Sequence, residues 1–213
     1  MKPIRGLALA LASFAAAVPS TAAADPPTRI TIVAVFDPVT FGEDAYVNGQ
    51  LFATAPAGQA VALEQSAPPF TAWAPVAQAT TDAVGYYTFK LHPSQTMQYR
   101  TSSQGVPSER VVQVSVAPRI AFKATAAGKS GIRFSGTFAP ALDGQSVAIQ
   151  RRTPSGWKSV ASARLHSGKT FQGRLRAHRA TDLRAFYATD GAHMSASSRA
   201  VTAMPGAHAA SAR

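Results

Sequence analysis

Two stretches of this chain, GQLFATAPAGQAVALEQ (residues 49–65) and GTFAPALDGQSVAIQ (residues 136–150), read as paraphrases of each other with their first glycines 87 residues apart. The correspondence spreads outward from them. Gly58-Gln59 falls on Gly144-Gln145, and Val61-Ala62-Leu63 falls on Val147-Ala148-Ile149. Trp73 then falls on Trp157, Tyr87 on Phe171, Leu91 on Leu175 and Arg100 on Arg184, all at one offset of 84 residues. Beyond that the second copy gains five residues around YATDGAHM, so that Arg110 falls on Arg199. Chance likeness between alanine-rich segments does not keep one offset across Trp, aromatic, Leu and Arg positions. A duplicated module that takes its insertions in loops does.

The periodicity within each copy is that of β-structure. Ile30, Ile32, Ala34 and Phe36 alternate with Thr31, Val33 and Val35, which predicts one strand buried on at least one face. Val61 and Leu63, then Tyr87, Phe89 and Leu91, alternate likewise. So do Ile120 and Phe122, Ile132 and Phe134, Val147 and Ile149, and Phe171 and Leu175. Turn signals separate these runs at Asn48-Gly49, Ala57-Gly58, Asp143-Gly144, Ser155-Gly156, Ser167-Gly168 and Asp190-Gly191. The expected architecture is all-β, two antiparallel sandwiches of roughly seven strands each. Residues 25–117 form the first, 118–204 the second, and 205–213 a disordered tail. The short link near Ala117-Pro118 has no Gly-Ser tract, so hinging between the copies should be restricted.

The pattern VTFGEDAYVNGQL, a Gly-Gln-x-Val turn and strand, GWKSVASA, YYTFKL or KTFQGRL, and YR or LRAFYA resembles the bacterial immunoglobulin-like repeats of secreted and cell-surface proteins. It covers nearly the whole chain after residue 24, twice. The resemblance implies the sandwich fold and a role as spacer, adhesive module or enzyme appendage, without choosing among them. The first copy departs from the compact form in a longer loop, QSAPPFTAW, and the disulfide of immunoglobulins does not carry over.

Residues 1–24 read as a signal peptide. Lys2 and Arg5 precede the apolar run GLALALASFAAAV, Pro19 breaks it, and Ala22-Ala23-Ala24 suits a signal peptidase. That run is shorter than the ~20 residues of a membrane-spanning helix, and no later segment is apolar enough to span. The expected location is therefore secreted, extracellular or periplasmic. The chain has no cysteine, which excludes disulfides, thiolate metal sites and cysteine nucleophiles.

Catalytic patterns are lacking, so no enzyme activity, metal site or cofactor is expected. Only ten acidic residues occur, and the histidines at 92, 166, 178, 193 and 208 show no HExxH spacing. His166 and His178 read as solvated turn residues. AGKSG (127–131) and SGKTF (167–171) imitate a phosphate-binding loop but lack its upstream glycine and lead into strands, so they read as hairpin turns.

Charge is the one feature beyond the fold. Residues 29–117 hold four Lys/Arg against six Asp/Glu, net −2; residues 118–213 hold fifteen against three, net +12. Alternation turns Lys123, Arg133, Arg174 and Arg176 outward, and in this type of sandwich their three strands share a sheet. Eleven of those fifteen residues are arginine, whose planar fork suits phosphates and carboxylates. The expected partner is an anionic cell-wall polymer or another polyanion, with charge reversal at Arg174 and Arg176 abolishing binding. Few aromatics interleave with these cations, so specific nucleic-acid recognition is disfavoured. The alternatives are carbohydrate or protein adhesion through exposed Phe70 and Tyr86, or an accessory role in an extracellular enzyme system.

Overall fold

The alternating segments become strands, and no helix forms among the described residues. The computed structural model describes residues 25–206; the expected signal peptide, 1–24, lies outside the described residues. In the first half the strands are β1 (Arg29–Ile30), β2 (Val33–Val35), β3 (Val39–Thr40), β4 (Ala45–Phe52), β5 (Ala60–Ser66), β6 (Ala74–Thr80), β7 (Tyr86–Leu91), β8 (Met97–Ser103), β9 (Val106–Pro107), β10 (Val112–Val114) and β11 (Val116–Ala117). In the second they are β12 (Arg119–Ala126), β13 (Gly131–Ala139), β14 (Ser146–Thr153), β15 (Gly156–Arg164), β16 (Thr170–Arg176), β17 (Thr181–Tyr187), β18 (Ala196–Ser197) and β19 (Val201–Ala203).

In the first half β4 pairs with β1, β2 and β7 in one sheet, and β5 and β8 pair in another that also holds β6, β9 and β10. In the second half β12, β13 and β16 form one sheet and β14, β15, β17, β18 and β19 the other. The two halves repeat one pairing scheme residue by residue. Glu64 faces Arg100 as Gln150 faces Arg184, and Val112 faces Tyr99 as Val201 faces Leu183. Gly49 faces Tyr87 as Gly136 faces Phe171. A register shift recurs at the same place, between Leu63 and Glu64 on β5 and between Ile149 and Gln150 on β14. Shared register is firmer testimony to duplication than shared letters, because a one-residue slip would turn every side chain to the other face.

Two separate hydrophobic clusters result. Ile30, Val47, Val61, Leu63, Tyr87, Phe89, Tyr99 and Val114 anchor the first; Phe122, Ile132, Phe134, Val147, Ile149, Phe171 and Leu183 anchor the second. Burying one such large apolar side chain contributes about 1.5–3 kcal/mol. Among the described residues no sheet crosses Pro118. The halves do touch, and the insertion seen in the sequence makes the contact. Thr96 N donates to Ala192 O at 2.7 Å, and Met194 N donates to Val116 O at 2.8 Å. The ring of His193, buried between them, places Nδ1 3.0 Å from Asp190 Oδ2 and Nε2 3.2 Å from Ser94 O.

The structure departs from the sequence reading in four places. The run from Ile30 to Phe36 is not one strand: it is interrupted at Thr31 and Ile32, and Phe36 is 70% exposed. Phe36 sits at φ 62°, which turns the chain out of the strand. Asn48-Gly49 is no turn; both residues lie inside β4, and Gly49 is small because Tyr87 lies against it. Ile120, Leu91 and Leu175 are only half-buried at the edges of their clusters. At the tail, Pro205 is buried and Gly206 N donates to Gly128 O at 2.9 Å, so the second half continues through residue 206.

Candidate anion-binding face

Lys123, Arg133, Arg174 and Arg176 all stand exposed on the sheet formed by β12, β13 and β16, while Phe122, Ile132, Phe134 and Phe171 fill its other side. Arg133 lies directly across the ladder from Arg174, and Arg176 faces Gly131. In the adjoining row Ser135 sits between Lys123 and Gln172. Opposed like charges destabilise a sheet, so this arrangement costs something when the face is empty.

The first half shows how such a face is neutralised. There Lys90 and His92 occupy the places of Arg174 and Arg176, because Ala45 faces Leu91 as Ile132 faces Leu175. Asp44, one residue before Ala45, accepts from Lys90 Nζ at 2.7 Å and lies 2.9 Å from His92 Nδ1. The Lys90 hydrogen bond holds the Asp44 carboxyl below its usual range and pushes the Lys90 ammonium up. In the second half the residue before Ile132 is Gly131. The carboxylate is gone and both cations are arginines. Among the described residues, none of Lys123, Arg133, Arg174 and Arg176 has an ion-pair partner.

Two hollows score this face. One of about 540 Å³ is lined by Lys123, Ser135, Thr170 and Gln172 among others. The other, about 450 Å³, lies between Arg133 and Arg174. His166 borders both. It does occupy a turn, its N–H donating to Thr170 O at 2.6 Å. Its position beside the cations was not legible from spacing, since β13 lies some thirty residues away in the chain.

A further basic hollow of about 620 Å³ went unread in the sequence because its basic residues come from three elements. Arg151 and Arg152 come from β14, Arg176 from the end of β16, and His178 and Arg179 from the turn that follows. Its one acid, Asp182, accepts from Thr202 Oγ1 at 2.6 Å. Arg176 belongs to this hollow and to the sheet face alike, so the two are continuous.

The aromatic candidates are not brought together. Tyr86 is 54% exposed on β7, opposite Gln50. Phe70 is half-buried at φ 64° in the connection between β5 and β6, strands of the other sheet. Trp73 and Trp157 lie outside both clusters and serve as platforms. The Arg100 guanidinium sits 4.5 Å over Trp73 and that of Arg184 sits 4.4 Å over Trp157.

Among the described residues no group of three His, Asp or Glu could hold a metal ion, and no helix is long and apolar enough to cross a membrane. No protein-family model matches the chain, and no curated protein matches it.

Proposed function

We propose that this chain is a secreted, non-catalytic pair of immunoglobulin-like β-sandwiches whose second copy holds an anionic polymer of the cell envelope or its surroundings. The observation that carries this reading is the exchange of Asp44 for Gly131 at equivalent places in the two halves. A solubilising surface needs charge but gains nothing from shedding its counter-ions. A face that receives an external polyanion does, because an internal carboxylate would have to be displaced first. The first half, neutralised and net acidic, then acts as the spacer.

The test is co-sedimentation of the full chain with isolated cell envelopes across a salt series, beside the R133E/R174E variant. Binding that falls steeply with salt and is lost in the variant supports the proposal. Binding that ignores salt and survives R133E/R174E but fails in Y86A transfers the role to the exposed Tyr86 of the first half, the adhesion reading. No sedimentation of either protein removes the envelope as the partner.

A further inference from the structure

The duplication supplies an internal control for the hollow bounded by Arg151, Arg152, Arg176, His178 and Arg179. Gln65 faces Tyr99 as Arg151 faces Leu183, Ala45 faces Leu91 as Ile132 faces Leu175, and Leu91 precedes Tyr99 by eight positions as Leu175 precedes Leu183. The five positions therefore correspond to Gln65, Ser66, His92, Ser94 and Gln95. The first half has a hollow at this place too, about 380 Å³, lined by Gln65, His92, Ser94 and Gln95 among others. The backbone builds the concavity in both halves. Only in the second half is it lined with guanidinium groups.

Random enrichment in arginine would scatter over a surface. Here four arginines and a histidine from three elements line one concavity, Arg152 with its guanidinium also 5.5 Å from the Trp157 ring, and each stands where the first half has a side chain that is neutral or, at His92, paired with Asp44. Among the described residues one carboxylate lines the hollow, Asp182, which accepts from Thr202 Oγ1 through Oδ1 and leaves the five basic residues in excess over it. A lone carboxylate ligand brings one negative charge, whereas a phosphate monoester brings nearly two at neutral pH along with three acceptor oxygens. Arginine forks bind such oxygens in pairs. We infer that this hollow is a phosphate-binding site, taking a phosphate group either free or carried at the end or along the chain of a polymer. The inference rests on the reading of the second half as an anion binder and names the anionic group it selects.

The experiment is isothermal titration of the full chain, at fixed ionic strength in sodium chloride, with inorganic phosphate, glycerol phosphate, a long polyphosphate and succinate. The variants are R151Q/R179Q, which restores the residues of the first half at two exposed positions, and R133Q/R174Q on the sheet face. The expected result is saturable binding of phosphate and glycerol phosphate that R151Q/R179Q weakens at least about tenfold, in line with losing charge-assisted hydrogen bonds. R133Q/R174Q should leave these small ligands unaffected and weaken only polyphosphate. Phosphate binding no tighter than succinate, or unchanged in R151Q/R179Q, overturns the phosphate site. Phosphate binding that depends on Arg151 and Arg179 beside polyphosphate binding indifferent to R133Q/R174Q keeps the site and removes the sheet face instead. A free phosphate source is indicated if inorganic phosphate binds as tightly as polyphosphate, a polymer source if polyphosphate binds much more tightly.

Discussion

Tyr87 lies directly across the ladder from Gly49, and its hydroxyl donates to Thr31 O at 2.5 Å while meeting Thr101 Oγ1 at 2.7 Å. The ring occupies the space a side chain at position 49 would need. An added Cβ would come within 2.1 Å of Thr31 O and 2.3 Å of the Tyr87 hydroxyl. Phe171 and Gly136 repeat the relationship in the second half, where the Cβ would meet Phe171 Cζ at 2.2 Å and Ala121 O at 2.3 Å.

Gly49→Ala and Gly136→Ala should therefore each destabilise the protein by about 3 kcal/mol, since backbone as well as ring must move. Urea denaturation gives the number directly. A change below about 0.5 kcal/mol at either site would mean that the ring shifts freely, contrary to the packing described.

The Tyr87 hydroxyl has no counterpart in the second half, and neither does its partner: Phe171 stands for Tyr87 and the buried Ala185 for Thr101. The polar pair was exchanged as a unit. Tyr87→Phe should cost about 1–3 kcal/mol by leaving the buried Thr101 hydroxyl without its partner, Thr101→Ala should cost less because the Tyr87 hydroxyl keeps Thr31 O, and the double variant should cost clearly less than their sum. Additive costs in a double-mutant cycle would deny the coupling.

Arg100 is held between the Trp73 ring and Glu64, 2.7 Å from its Nε; Arg184 has the Trp157 ring and only the neutral Gln150, at 2.9 Å. Burial, then the charge of nearby Arg152, hold the Arg184 guanidinium below its ordinary pKa, so its positive charge is less well stabilised than that of a free arginine. Gln150→Glu should stabilise the second half by roughly 0.5–1 kcal/mol at low salt and less at high salt. A salt-independent gain would point to packing instead of charge.

Asp190 ties the insertion together, accepting from Tyr187 Oη at 2.9 Å and from the His193 backbone N–H at 2.6 Å. Burial alone would raise its pKa, but the bonds from His193 and Tyr187 outweigh that and hold it below the ordinary 3.8. A lowered carboxylate pKa contributes stability that is present above the ordinary value and is lost as pH falls through the lowered one. The gap in Tm between the native chain and Asp190→Asn should be present at pH 5 and close as the pH falls below about 4. A gap that persists at pH 2 would show that Asp190 acts only through shape.

Much of this protein could be read in one dimension. Period-two alternation places Val61, Leu63, Phe134 and Phe171 inside and Lys123, Arg133, Arg174 and Arg176 outside, because a strand side chain has only two directions to take. The constant offset exposed the duplication for the same reason: register tolerates no slip inside a strand. Other features were decided by tertiary structure. Gly49 looked like a turn residue because glycine serves both turns and close approaches, and only the neighbour, Tyr87, distinguishes them. Phe36 kept the alternation but lost the core, since one left-handed residue turned it out. The missing partner of Arg174 and Arg176 could not be seen in the chain either. Asp44 and Gly131 acquire meaning as presence and absence of a counter-ion only when β4 is laid beside β7 and β13 beside β16. Charge interacts through space, and the linear sequence carries distance along the chain alone.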